Sequence, residues 1–395
     1  MTIAAAADRL PRPASAVVRD SSKRDYRLDF FRGLALVFIF IDHIPDNTVS
    51  FFTLRVAAFC DAAEVFIFIS GYTAALAYMP VFDRDGLAMG FARIYRRVWQ
   101  LYVAHLCLFI IFNAEVGYTL KYFNNPLFAE ELAVGDFLQT PGETFIRVLL
   151  LQFQPTLLNI LPLYIVLLLG LPFVLLLIRR NLWLALLPSA ALWVAANLLG
   201  WNLAGVPEGR LWYFNPFAWQ FLFVIGVALG HTGRTGTARL PASLSWLPIV
   251  AVGFCIFAGA AELSAILHQV WGTPRLLFIN VAWLDKTMLP PLRLISLLAL
   301  AVAIGAFVPR RALFMTTWPG WLLVLCGQNS LEVFCLGILL SVLGNFLLNL
   351  ADYELVVQLL VNLAGVLIMF GVGTGLAWFK ANGRVPPPVG QPVRQ

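Results

Sequence analysis

Ile160-Leu-Pro-Leu-Tyr-Ile-Val-Leu-Leu-Leu-Gly-Leu-Pro-Phe-Val-Leu-Leu-Leu-Ile178 contains no charged residue, and Arg179-Arg180 follows it at once. A helix rising about 1.5 Å per residue carries such a run across a hydrocarbon core of about 30 Å, with the arginine pair meeting water. Helix also satisfies its own backbone polar groups, which lipid cannot do. Comparable apolar stretches recur at 29–45, 56–79, 98–119, 182–199, 216–231, 246–267, 289–308, 320–348 and 354–379. The 395-residue chain is 60% hydrophobic and 12% charged, with mean hydropathy +0.82, too little polar surface to coat a soluble particle of this size;. The alternating pattern of a membrane barrel is absent, so the sequence predicts an all-α polytopic membrane protein, a single bundle of about ten transmembrane helices;.

Basic residues set the expected orientation. With both termini cytoplasmic, 20 of the 27 Lys and Arg fall inside, among them Arg93, Arg96, Arg97, Arg179, Arg180, Arg310 and Arg311;. The net charge of +6 is thus a topology signal and needs no nucleic-acid partner;. Residues 1–27 read as a disordered basic cytoplasmic tail without a secretory signal, 28–380 as one transmembrane domain and 381–395 as a second cytoplasmic tail;. A short helix is expected over 143–154, at the surface or re-entrant. The five cysteines lie in apolar segments and read as small buried hydrophobes, with no metal-ligand spacing;. Phosphate-binding glycine loops and GxSxG elbows are also missing, which removes support from ATPase and hydrolase readings;.

Charges inside a membrane span are costly and tend to be functional. The first span, Arg27-Leu-Asp29-Phe-Phe-Arg32-Gly-Leu-Ala-Leu-Val-Phe-Ile-Phe-Ile-Asp42-His43-Ile-Pro45, is the richest. Arg32 and His43 fall within roughly 20° of one helix face, about 16 Å apart along it. Each has a plain alternative, Arg32 as one more positive-inside residue and His43 as a satisfied structural donor. Asp42 points about 100° away from His43, so a partner for the imidazole has to come from another span. Asp61 and Glu64, in Cys60-Asp61-Ala-Ala-Glu64, share a face near the level of His43 and could hold its tautomer;. They could equally form a structural ion pair with Arg55, or a proton or cation site in a transporter. Ser70-Gly71 reads as a close-packing point between helices;. Arg93 and Arg96 have the spacing to converge on one phosphate, although positive-inside bias alone would place them there;.

The pattern Arg32-x10-His43 followed by Arg93-x-x-Arg96 resembles the membrane acyltransferase family three. The strings RDYRLDFFRGLALVFIFIDH and DAAEVFIFISGY are more closely similar to its OpgC-type branch, the succinyltransferases of osmoregulated periplasmic glucans. A weaker likeness is Gly327-Gln-Asn-Ser330-Leu-Glu332-Val-Phe334, where Phe334-Cys335 stands in place of the histidine that many relatives have. The resemblance implies a multi-pass protein of the bacterial inner membrane that moves an acyl group from cytoplasmic acyl-CoA, with succinyl-CoA as the closer donor, to a periplasmic glucan. It makes His43 catalytic and turns Arg32, Arg93 and Arg96 toward CoA; Asp61 and Glu64, as carboxylate support for the imidazole, and Arg97, next to Arg96 in the basic cluster, join the candidate site from the reading of the residues themselves. His43 could be a general base or an acyl-carrying nucleophile.

The aromatics Trp201, Trp212, Tyr213, Phe214 and Trp219 cluster around 200–219, and Trp271 and Trp283 lie in a later outer loop. With Arg210, Arg275 and Asp285 nearby they suit sugar stacking, Trp212, Tyr213, Trp271 and Trp283 above all, although Trp and Tyr at this depth also form the interfacial belt;. A succinyl carboxylate would need a cation, and Arg55, Arg147 and Arg275 are the outer candidates. The other readings are O-acetylation of another envelope glycan, and a transporter built on the intramembrane His and carboxylates.

Overall fold

The computed structural model describes residues 25–123, 132, 134–207, 209–236 and 242–382. The expected tails lie outside these residues except at their inner edges, as does most of the 120–142 loop beyond residue 123 up to 133. Among the described residues the structure is helical, with one isolated bridge between Ala204 and Leu211.

Helix α1 (Tyr26–Asp42) begins where the Asp25 carboxylate accepts from the Arg27 N–H, and it ends at His43, whose N–H closes onto the Ile39 carbonyl;. Helix α2 (Ala62–Phe123) covers two expected spans. Gly86, at φ 83° and ψ 176°, breaks it in a backbone state that glycine adopts without steric penalty;. The chain folds back there: the Phe82 and Phe91 rings are 6.0 Å apart and Arg93 reaches Asp85 at 3.2 Å, where a straight helix would hold residues 82 and 91 about 13 Å apart;. The expected surface helix is α3 (Pro141–Leu149), which starts earlier and ends well before Pro155.

Besides three helices of four or five residues, Leu54–Ala57, Gly135–Gln139 and Leu313–Thr316, the described residues form α4 (Ile160–Arg180), α5 (Leu182–Leu199), α6 (Pro216–Thr235), α7 (Leu247–Trp271), α8 (Pro291–Phe307), α9 (Trp318–Gln328), α10 (Ser330–Leu350) and α11 (Leu355–Asn382). The stretch expected as one span over 320–348 is divided between α9 and α10 at Asn329 (φ −112°, ψ 39°). That break is tied down chemically. The Asn329 amide donates to the Leu325 and Gly373 carbonyls at 2.9 and 3.2 Å, and its oxygen accepts from Lys380 at 2.7 Å.

Among the described residues six helices, α2, α4, α5, α7, α10 and α11, are long and apolar enough to cross a membrane, so the chain is a multi-pass membrane protein. One contiguous apolar core runs through α1, α2, α4, α6 and α10. By contrast, the apolar windows of α5, α7 and α11 are only 17%, 17% and 22% buried, which puts these helices at the periphery, facing lipid. Small residues let the inner helices approach closely. A Cβ built on Gly33 would collide with the Leu323 carbonyl and one on Gly327 with the Asp29 carbonyl, so α1 and α9 meet backbone to backbone. Gly71 lies in the same way against the Phe223 carbonyl of α6, the close packing expected of Ser70-Gly71. The five thiols are free; Cys60 and Cys326 are buried, whereas Cys107 is exposed on an outward face of α2.

Candidate active site

The expected imidazole–carboxylate contact is not what Asp61 and Glu64 make. Helix α2 starts at Ala62, so these residues stand at its entrance and cap it reciprocally. Asp61 Oδ1 accepts from the Ala63 N–H at 2.8 Å, and Glu64 Oε2 accepts from the Asp61 N–H at 3.0 Å;. Their other oxygens hold cations. Arg293 of α8 places Nε and Nη2 at 2.6 and 2.5 Å from Glu64 Oε1, and Nη2 at 3.1 Å from Asp61 Oδ2. Lys286, in the loop before α8, places Nζ 2.7 Å from the same Asp61 oxygen. Charge-assisted bonds to two cations outcompete one to a neutral imidazole. His43 Nδ1 is buried with no hydrogen-bond partner among the described residues.

His43, Asp61 and Lys286 nevertheless line one cavity of about 1040 Å³. Asp42, Arg55 and Arg293 share it, as do Arg210, Trp212, Tyr213 and Phe214 from the 200–215 connection. Glu64 is fully buried behind this wall. The connection is held by the bridge at Ala204 and by Asn202, whose amide donates to the Trp212 carbonyl at 2.8 Å. The Lys286 loop is pinned to α6: Trp219 Nε1 donates to the Lys286 carbonyl at 3.0 Å, and the Asn215 N–H donates to the Thr287 carbonyl at 3.2 Å. Burial by itself lowers the pKa of Lys286, but the Asp61 and Glu64 carboxylates outweigh it and hold the ammonium above its ordinary value;.

Of the aromatics expected to meet the acceptor, Trp212 and Tyr213 line this cavity, and Trp271 and Trp283 do not. Both are exposed, at 72% and 53%, and neither lines the cavity. Trp271 is the last residue of the lipid-facing α7, the place of an interfacial aromatic;. Among the cations expected to meet a donor carboxylate, Arg55 lines the cavity. Arg147 instead donates to Gln152 at 3.0 Å, and Arg275 lies over the Phe278 ring.

A second cavity, about 220 Å³, is lined by Arg32, Ser70, Thr73, Arg97 and Ser330. Arg32 donates to the Ile69 carbonyl at 3.3 Å and to Thr73 Oγ1, which ties α1 to α2. Arg97 reaches Gln100 at 3.4 Å. Arg93 and Arg96 stay outside this cavity: Arg93 pairs with Asp85, and Arg96 is exposed one helical turn from it;. The expected arginine cluster is thus split between a cavity wall and an open surface.

Ile160 and Phe334 line both cavities, so these two side chains form part of the wall between the cavity of Arg32 and that of His43. Phe66 braces it, its ring 6.3 Å from those of Phe334 and Tyr164. Lys286 and Arg293 were not among the site residues expected from the sequence. Arg293 carried a signal, since it lies inside the expected span 289–308, where an unpaired guanidinium would be costly;.

Fold and site define a helical multi-pass membrane protein with two charged cavities aligned along its first helix. The family model described as OpgC protein matches residues 24–381, nearly the whole chain, and the protein belongs to the OpgC family. No curated protein and no solved structure matches it. Family membership points to acyl transfer onto periplasmic glucans.

Proposed function

We propose that this protein transfers a succinyl group from cytoplasmic succinyl-CoA through the bundle to a hydroxyl of a periplasmic glucan, as a multi-pass enzyme of the bacterial inner membrane with about ten spans and cytoplasmic termini. The observation that carries this reading is the pair of cavities along α1, one lined by Arg32 and the other by His43, with Ile160 and Phe334 lining both. Arg32 and His43 are about 16 Å apart along the helix, a span that the extended pantetheine arm of CoA can cover. CoA's phosphates meet Arg97 at the cavity and Arg93 and Arg96 on the adjoining surface, while Arg32 lines the entry. The thioester is delivered past Phe334 to His43. There the imidazole acts as base on the sugar hydroxyl or as the nucleophile that first takes the acyl group. Trp212 and Tyr213 offer the sugar a stacking face, and Arg55 with Arg210 takes the distal succinyl carboxylate. Asp61 and Glu64 are positioning residues that fix the cations of the wall.

A transporter reading is weakened by the charges themselves, since Asp61 and Glu64 are closed into ion pairs with Arg293 and Lys286 and do not form an open series along a path. The test uses purified protein in nanodiscs with succinyl-CoA and a soluble glucan oligosaccharide, read by mass spectrometry. A succinyl ester is expected with wild type, and His43→Ala should bind CoA yet form none. Transfer by His43→Ala at the wild-type rate would overturn the reading. Product from acetyl-CoA alone would replace succinyl by acetyl.

A further inference from the structure

Acyl transfer from a thioester passes through a tetrahedral intermediate whose carbonyl oxygen becomes negative, and an imidazole engaged in proton transfer does not neutralise that oxygen. A fixed donor aimed at the place where charge develops is the device that does so. The His43 cavity holds four cations, and their surroundings sort them. Arg55 and Arg210 are exposed at its rim, where water solvates them and their side chains must be immobilised on each encounter. Arg293 is committed, its guanidinium bonded to Glu64, Asp61 and the Leu284 carbonyl. Lys286 differs from all three. Among the described residues its Nζ has one polar partner, Asp61 at 2.7 Å, and it lies 5.6 Å from the centre of the Phe214 ring, itself part of the cavity lining. An ammonium has three donors. One is spent on Asp61 and the others remain for the cavity, while the loop behind is pinned to α6 through Trp219 and Asn215.

We propose, resting on the acyl-transfer reading above, that Lys286 is a catalytic residue that donates a hydrogen bond to the acyl carbonyl oxygen as it becomes an oxyanion. As the sugar oxygen attacks the thioester carbon, a C–O bond forms, the hydroxyl proton passes to the His43 imidazole and the carbonyl π pair moves onto the oxygen facing Lys286. Collapse re-forms the carbonyl, breaks the C–S bond and returns the proton from imidazolium to the departing sulfur. Lys286 stays an ammonium throughout. If the acyl group rests first on His43, the same oxygen becomes negative twice and meets the same donor twice. Asp61 is then a positioning residue, acting through Lys286.

The test measures transfer to a soluble glucan oligosaccharide by the nanodisc-reconstituted protein, with succinyl-CoA and acetyl-CoA as donors. Lys286→Met should lower kcat about 10²-fold or more with either donor and leave KM for the donor unchanged. Because Lys286→Met leaves Asp61 short of one partner, the double variant Lys286→Met with Asp61→Asn is measured beside it. It should regain wild-type thermal stability, and bind CoA as the wild type and the single variant do, without regaining kcat. Three outcomes overturn the proposal: a double variant with wild-type kcat, which makes Lys286 a structural counter-ion; a loss confined to KM; or a loss with succinyl-CoA but not acetyl-CoA, which makes Lys286 a reader of the distal carboxylate. Failure of the wild type to transfer from either donor, or full activity of His43→Ala, refutes the acyl-transfer reading itself and this proposal with it.

Discussion

Replacing Arg293 with Met removes the guanidinium whose Nε and Nη2 lie 2.6 and 2.5 Å from Glu64 Oε1. Asp61 would still keep Lys286 at 2.7 Å and the Ala63 N–H at 2.8 Å. Glu64 would not be compensated in this way: it is 0% exposed, and among the described residues its other oxygen accepts only from the Asp61 N–H. Taking one partner from a buried pair costs about 3–5 kcal/mol, because a desolvated charge is left behind. That corresponds to a shift of roughly 10²- to 10⁴-fold in the ratio of folded to unfolded protein. Adding Glu64→Gln removes the orphaned charge and leaves Asp61 and Lys286 as a neutral pair, so most of the loss should return, a coupling of about 2–3 kcal/mol. Unfolding in mixed detergent micelles, followed by tryptophan fluorescence, measures both variants. Equal stability of Arg293→Met and wild type, or strictly additive effects in the double variant, would refute the account of the carboxylates as a charge-balanced support.

The wall between the cavities gives a kinetic prediction: Phe334→Trp enlarges one of its two shared side chains, so glucan acylation should fall about tenfold or more while CoA binding, measured by titration calorimetry, is unchanged;. Unaltered transfer would mean that the acyl arm does not pass there. The crossing of α1 and α9 gives a packing prediction, since Gly327→Ala drives a methyl group into the Asp29 carbonyl and the helices must separate. A loss of about 1–3 kcal/mol is expected, read as a lower Tm in detergent, and an unchanged Tm would refute so close a crossing.

The helices were legible because lipid demands long apolar runs, and α4, with its Arg179-Arg180 end, is the plainest case;. The division at Asn329 was harder to read, because apolar residues on both sides blend into one hydropathy peak. The polar run Gln328-Asn329-Ser330 was the trace it left. In the site, Arg32 and His43 could be placed from helical periodicity alone, and the structure sets them in separate cavities at the two ends of α1;. The partners of Asp61 and Glu64 were beyond such reasoning. Glu64 meets Arg293 across 229 residues of chain, and nothing local encodes which distant cation arrives. Their capping role was local and readable, because Asp-x-x-Glu at a helix start is the spacing of a reciprocal cap. Trp212 and Trp271 look alike in sequence; one is drawn into the cavity by the bridged 200–215 connection, and the other ends a lipid-facing helix.

The support around Lys286 answers a difficulty that any half-buried cation meets. Alone in a low-dielectric wall, an ammonium would lose its proton to relieve the desolvation. With one carboxylate entirely its own, it would keep the proton but direct most of its field at that partner. Here Asp61 Oδ2 is shared between Lys286 at 2.7 Å and Arg293 at 3.1 Å, while Oδ1 is occupied by the Ala63 N–H. The negative charge that keeps Lys286 protonated is therefore divided, and Glu64 compensates Arg293 for its share. The four groups sum to zero, so the wall carries no net desolvated charge, yet Lys286, with one carboxylate partner among the described residues, lines the same cavity as the His43 imidazole with two donors to spare;. An arrangement built only for stability would be served as well by apolar residues of the same volume.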